Sequence, residues 1–198
     1  MKIGAIDFEQ ECEILGFVRQ RFSASEIELR VDANGAFTPN EAMQKLEKLA
    51  TFDLHSIEQP IKQGQISEMV KLCSQTPLPI ALDEELIGVF TKEEKENLIK
   101  EIKPQYIILK PSLVGGINGS NEWISIAAKY NVDWWITSAL ESNIGLNAIA
   151  QYTSSLKPTM PQGLGTGGLF LNNVDAPLSV RNGNLWYHSS KRWGELKL

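Results

Sequence analysis

Leu29-Arg30-Val31-Asp32, His55-Ser56-Ile57-Glu58, Ile80-Ala81-Leu82-Asp83 and Ile107-Ile108-Leu109-Lys110 are four short runs of similar build, each closed by an ionisable residue. The closing residues stand at 32, 58, 83 and 110, so successive units are 26, 25 and 27 residues long. A strand, its loop and a crossover helix take roughly 25 to 35 residues, and the spacing predicts a βα repeat. One charged side chain then falls at the carboxyl end of each strand. In a closed parallel barrel those ends open onto a single face. Three carboxylates gathered there would repel one another unless a divalent cation stood among them. Asp32, Glu58 and Asp83 are therefore read as ligands of Mg²⁺, or of Mn²⁺ in its place. Any one of these acids could equally cap the helix that follows it. Three at matching positions favour the metal.

The repeat extends on both sides of these runs. Lys2-Ile3-Gly4 looks like the end of an earlier strand, and Cys12, Leu15, Val18 and Phe22 mark a helical stripe over about 8–21. Ile27, Leu29 and Val31 alternate with polar residues as a strand does. Thr38-Pro39-Asn40-Glu41 and Thr91 with Glu94 are capping boxes, opening helices that run to about 50 and 102. Further helices are expected near 66–74, 121–129 and 143–155, and strands at 56–58, 79–83, 106–110 and 132–137. About seven strands alternating with helices predict an α/β fold built on a parallel sheet. The segment Gly163-Leu164-Gly165-Thr166-Gly167-Gly168 reads as a loop beyond the last of them. Asn182-Gly183, between two apolar runs, signals a hairpin in the tail.

Composition narrows the classes of partner. With 198 residues, 42% of them hydrophobic, and a mean hydropathy of −0.17, the chain can build a core. A net charge of −5 without a Lys/Arg run speaks against nucleic acid. No stretch approaches the roughly 20 apolar residues that span a bilayer. Cys12 and Cys73 have neither metal-ligand nor redox spacing and read as reduced, half-buried residues of a cytoplasmic protein.

Lys2 and Lys110 end strands on either side of the carboxylate set, and in a barrel they would face each other across its mouth. A lysine acting as a base at neutral pH needs its pKa, ordinarily about 10.4, lowered by burial or by a nearby cation. Taken alone, Lys2 beside the chain start reads as a solvated surface group.

Lys2-Ile3-Gly4, Asp32-Ala33-Asn34, Glu58-Gln59-Pro60, Asp83-Glu84, Leu109-Lys110-Pro111 and Ser138-Ala139-Leu140-Glu141-Ser142, in this order, resemble the barrel of the enolase superfamily over nearly the whole chain. The similarity is greatest to its members that form o-succinylbenzoate in menaquinone biosynthesis. The resemblance implies a (β/α)₇β TIM-like barrel lacking its first strand and its N-terminal capping domain. Residues 1–175 would be a partial barrel, and 176–198 a hairpin and tail packed on the capping domain. It implies a small-molecule carboxylate as partner and a Mg²⁺-dependent lyase, carrying out syn dehydration of 2-succinyl-6-hydroxy-2,4-cyclohexadiene-1-carboxylate to o-succinylbenzoate. Removing a proton next to a carboxylate creates a dianionic enediolate, and a metal on that carboxylate stabilises the charge as it develops. By resemblance Lys2 removes the proton and then helps hydroxide leave, while Lys110 holds the ring. Asn34 and Glu84 would orient ligands or a lysine. Ser138 and the loop at Gly163 and Gly165 would offer hydroxyl and N–H groups to the succinyl carboxylate. Glu141 is assigned equally to a structural role.

The superfamily pattern has a further lysine two residues before Lys2, where this chain has none. The chain is therefore expected to be a fragment of a longer product, poorly active alone and prone to self-association through uncovered sheet edges. Three other readings compete. The same fold could racemise N-acylamino acids or epimerise dipeptides through the same proton abstraction, although the acid pair of dipeptide epimerases is missing from the loop at 163–168. The chain could be an inactive barrel remnant serving as a binding or assembly module. A phosphate-binding barrel is disfavoured because no lysine or arginine accompanies the glycines.

Overall fold

The computed structural model describes residues 1–165 and 170–195. Its elements alternate as the spacing predicts. Helix α1 (Phe8–Arg19) precedes β1 (Arg30–Asp32), α2 (Pro39–Ala50), β2 (Ser56–Glu58), α3 (Ile66–Gln75) and β3 (Ile80–Leu82). After a 3-10 turn at Glu84–Leu86 come α4 (Lys92–Ile102), β4 (Tyr106–Leu109), α5 (Gly116–Lys129), β5 (Asp133–Ile136) and α6 (Asn143–Ser155). The hairpin of β6 (Leu178–Arg181) and β7 (Asn184–Tyr187) is the last regular element of the described residues, turning through Asn182 and Gly183 at φ 52° and 72°. Two left-handed residues in succession make the primed turn that suits a twisted hairpin.

The first five strands form one sheet in the order β1-β2-β3-β4-β5, and the pairs β1–β2, β2–β3 and β3–β4 are parallel. Parallel strands covered on both sides are apolar throughout, which is why β3 and β4 read as unbroken runs. Val31, Ile57, Ile80, Leu82, Ile107 and Leu109 are essentially inaccessible. Lys2 forms a parallel bridge with Asp32, and Gly163 one with Thr137. The described residues thus hold five regular parallel-sheet strands and these two bridge segments, the one at Gly163 in place of the loop expected there.

The chain divides into two compact units. One comprises Met1–Ile108 and Trp123–Trp134, the other Leu109–Glu122 and Trp135–Leu198. In the first, α2 turns Ala42, Leu46 and Leu49 inward, and α3 turns in Met69, Leu72 and Cys73. Both capping boxes are present. The backbone N–H of Thr38 donates to Glu41 at 2.9 Å and that of Thr91 to Glu94 at 3.1 Å. Cys12 and Cys73 are both free and buried.

Three expectations need correction. Helix α1 stops at Arg19, so Phe22 leaves the stripe and is 43% exposed. Helix α5 begins at Gly116, five residues ahead of the expected start. Gly163 is a bridge residue as well as the start of a loop. Residues 166–168 of the glycine segment lie outside the described residues. No described helix is long and apolar enough to cross a membrane.

Candidate active site

In the first unit the carboxylates are set by sheet register. Asp32 closes β1, Glu58 closes β2, and the two are direct partners across the parallel pair. Partners on adjacent parallel strands point to the same face. Glu58 is in turn the partner of Ala81, and Asp83 follows two residues on, where the alternation returns to that face. Asp83 is buried, at 2% exposure. A short strand closed or directly followed by an acid thus turns a carboxylate toward the same face of the sheet three times.

Lys2 meets this group from the neighbouring bridge. Its backbone is held by Ile3 N–H donating to Asp32 O at 2.8 Å. Its ammonium donates to Asp32 Oδ2, and to Asn34 Oδ1 at 2.5 Å. Asn34, in the left-handed region at φ 44°, donates its own N–H to Asp32 Oδ1 at 2.9 Å and its amide to Glu84 Oε1 at 2.8 Å. An amine, a carboxylate, an amide and a second carboxylate are therefore linked in series. The Lys2 side chain is 68% exposed, and so open a pair adds little stability. Its effect is to place the amine. Glu84 Oε2 is buried without a hydrogen-bond partner.

A shared metal was expected at Asp32, Glu58 and Asp83, and the side chains do not stand gathered for it. Among the described residues no group of three or more His, Cys, Asp or Glu is close enough to hold a metal ion. At Asp32 one oxygen is engaged by Lys2 and the other by the Asn34 N–H. The donor chemistry still fits a hard divalent cation, since all three groups are carboxylates from one face of neighbouring strands.

Three buried polar residues in this region escaped the reading of the sequence. Glu11 on α1 accepts from the N–H groups of Gly4 at 2.6 Å and Ala5 at 3.3 Å, pinning the turn that follows Lys2. Gln59 and Glu85 are hydrogen-bonded to each other at 3.0 Å. Gln59 was quoted only for its place between Glu58 and Pro60. The one signal for Glu11 is an acid on the same helical turn as the buried Cys12.

The second unit holds the remaining candidates. Lys110 directly follows β4, and its carbonyl accepts from the N–H of Leu113 at 2.8 Å and of Val114 at 3.1 Å. Ser138 is buried, with its N–H donated to Gly163 O at 3.1 Å. The N–H of Gly163 donates to Ile136 O at 2.8 Å, so it is not available to a substrate. This glycine is required by crowding: a Cβ there would lie 2.8 Å from that of Thr137. Gly165 has open space around it. Glu141 accepts from Ser112 Oγ at 2.7 Å, and its other oxygen is buried without a partner.

Comparison with known proteins places this arrangement. A family model described as enolase C-terminal domain-like matches residues 1–190. The chain belongs to that family. Among curated members, it is 56% identical to the o-succinylbenzoate synthase of Desulfotalea psychrophila over 93% of this chain and 50% of that protein. It is 26% identical to the L-Ala-D/L-Glu epimerase of Bacillus subtilis over 96% of this chain and 50% of that protein. The crystal structure of MenC from Desulfotalea psychrophila superposes with a TM-score of 0.88 at 55% identity, covering 93% of this chain and 51% of that one. The muconate lactonizing enzyme of Pseudomonas putida superposes with a TM-score of 0.81 at 25% identity, covering 93% and 51%. The chain thus carries the C-terminal barrel domain of the enolase superfamily and spans about half the length of the relatives it matches.

Proposed function

We propose that this chain is the barrel part of an o-succinylbenzoate synthase, a lyase that removes water from 2-succinyl-6-hydroxy-2,4-cyclohexadiene-1-carboxylate. The observation that carries the reading is the register of Asp32 with Glu58, followed by Asp83, beside an amine bonded to the first of them. The 56% identity to a curated synthase supports this substrate over those of the more distant epimerase. Residues 1–175 belong to a (β/α)₇β barrel domain. Residues 176–198 pack on a further domain, a role that suits the exposure of Trp186 and Tyr187.

Asp32, Glu58 and Asp83 would hold Mg²⁺, with Mn²⁺ as a substitute. Bound there, the cation would stabilise negative charge developing on the substrate carboxylate. Lys2 takes the proton next to that carboxylate, and as an ammonium returns it to the departing hydroxide. Asn34 and Glu84 fix the direction of the Lys2 amine through the hydrogen bonds they already make. Lys110 holds the ring of the substrate by its charge. Ser138 and the backbone at Gly165 serve the succinyl carboxylate. Gly163 contributes only by setting that backbone, its own N–H being spent in the bridge.

The test is turnover of the cyclohexadiene substrate by the full-length protein, with N-succinyl amino acids run in parallel. Dehydration is expected at a rate well above racemisation, and the reverse order would assign a racemase. Asp83→Asn should weaken Mn²⁺ binding at least about tenfold. Unchanged affinity would remove Asp83 from the ligand set.

A further inference from the structure

We propose that Gln59 and Glu85 are positioning residues that set the spacing of the three strand-end carboxylates, and through it the affinity for a divalent cation. The proposal rests on the ligand assignment made above. Gln59 is wholly buried, and its backbone is held at φ 36°, a left-handed conformation that a side chain adopts only against strain. Every hydrogen-bonding group of its amide is used. The Oε1 atom accepts from Asp83 N–H at 3.2 Å and Glu85 N–H at 3.3 Å. The Nε2 atom donates to Ile61 O and to Glu85 Oε2, each at 3.0 Å. A flipped amide would face two donors with its nitrogen and two acceptors with its oxygen, so the orientation is unambiguous.

The backbone of the same residue completes the network. Gln59 N–H donates to Ala81 O at 2.9 Å, and its carbonyl accepts from Gly35 N–H at 2.7 Å. One residue is thereby tied to the loop after Asp32, to β3, and to the turn that begins at Asp83. It belongs itself to the strand end that bears Glu58. Glu85 extends the tie, accepting from Gly64 N–H at 2.8 Å through its second oxygen. The side chain of Gln59 reaches the turn that begins at Asp83, and its backbone reaches the loop after Asp32 and β3. The backbone of Asp83 stands where it does because Gln59, 24 residues earlier, accepts its N–H.

The experiment is a Mn²⁺ titration followed by electron paramagnetic resonance, using the full-length protein, Gln59→Glu, Glu85→Gln and the double exchange. Gln59→Glu sets two carboxylates against each other, and Glu85→Gln sets two amides together. Each should weaken Mn²⁺ binding about 10- to 100-fold, the range typical of residues that orient metal ligands. In the metal-free protein, amide hydrogen exchange at Asp83 and Glu85 should rise in both single variants. The double exchange restores an amide facing a carboxylate and should recover much of the affinity. Should Gln59→Glu not fold, Glu85→Gln decides alone. Folded single variants that bind Mn²⁺ within about twofold of wild type overturn the proposal, provided that Asp83→Asn weakens binding. A wild-type protein that binds no Mn²⁺, or an Asp83→Asn variant of unchanged affinity, overturns the ligand assignment itself and this proposal with it.

Discussion

After β2 and β3 the chain buries polar side chains, Gln59, Asp83 and Glu85, whereas the hairpin of β6 and β7 leaves Trp186 and Tyr187 53% and 63% exposed. Both depart from ordinary burial, in opposite senses, and each departure carries its own information. A buried polar network is stabilising only when its members are satisfied, and then it fixes one arrangement of the backbone. At the strand ends it fixes the positions of carboxylates. Exposed aromatic side chains on a two-stranded ribbon do the reverse, since such a ribbon is marginal without a third element to pack on. The first region is specified from within its own unit. The second has the composition of a surface made to be covered.

The largest effect should come from emptying the polar network. Gln59→Leu keeps the volume but strands two N–H groups, one carbonyl and one carboxylate oxygen away from water. We expect a loss of about 3–5 kcal/mol in urea unfolding. A loss below about 1 kcal/mol would mean that water replaces the amide and that the network is not rigid.

A matched pair of glycines sharpens the comparison further. Gly35, beside the carboxylates, and Gly183, in the hairpin turn, share the same φ of 72°. The backbone penalty of a side chain is therefore similar at both. Around Gly35 a Cβ would lie 2.8 Å from Lys62 Cα and 3.0 Å from Lys62 N, whereas nothing stands within 4 Å at Gly183. Gly35→Ala should cost roughly 2–4 kcal/mol and Gly183→Ala about 1 kcal/mol, read as differences in denaturation midpoint. Equal costs would show that the strand-end region yields as freely as the hairpin does.

Elements whose signal is local were legible in the sequence. Strands β3 and β4 announced themselves as unbroken apolar runs, β1 by its alternation with polar residues, and α2 and α4 because their capping boxes stand where the N–H groups need them. Asn182-Gly183 marked the hairpin in the same way. Lys2, Asp32, Asn34 and Glu84 are joined by hydrogen bonds, and Asn34 and Glu84 take a role from the sequence only through the family resemblance. The turn Glu84–Leu86 was not, since it depends on an acceptor supplied by Gln59 from the preceding unit. Nor was the gathering of the three acids open to spacing alone. Register brings them to one face, but whether their oxygens converge depends on what each already bonds, and Asp32 is engaged by Lys2 and Asn34. The start of α5 at Gly116 ran against the usual meaning of two adjacent glycines as a break.

The smallest effect we predict concerns a polar group at the other end of the strands. His55, immediately before β2, stacks on Tyr106 at 4.9 Å between ring centres, and its Nδ1 lies 2.9 Å from Ser56 Oγ. Burial holds its pKa below the ordinary 6.5. The nearby Glu28 pulls the other way, and Arg30 adds to the lowering. In the unfolded chain the ring takes up a proton near pH 6.5, while the folded protein still resists it, so the unfolded state binds more protons in that window. Stability contributed by the neutral ring is therefore present above pH 6.5 and is lost as pH falls through 6.5 toward the folded value. His55→Gln should flatten that part of a curve of melting temperature against pH while leaving the limb above pH 7 nearly unchanged. If the variant and the wild type fall in parallel from pH 7 to pH 5, the ring is open to water and adds no costly polar burial at this end of the strands.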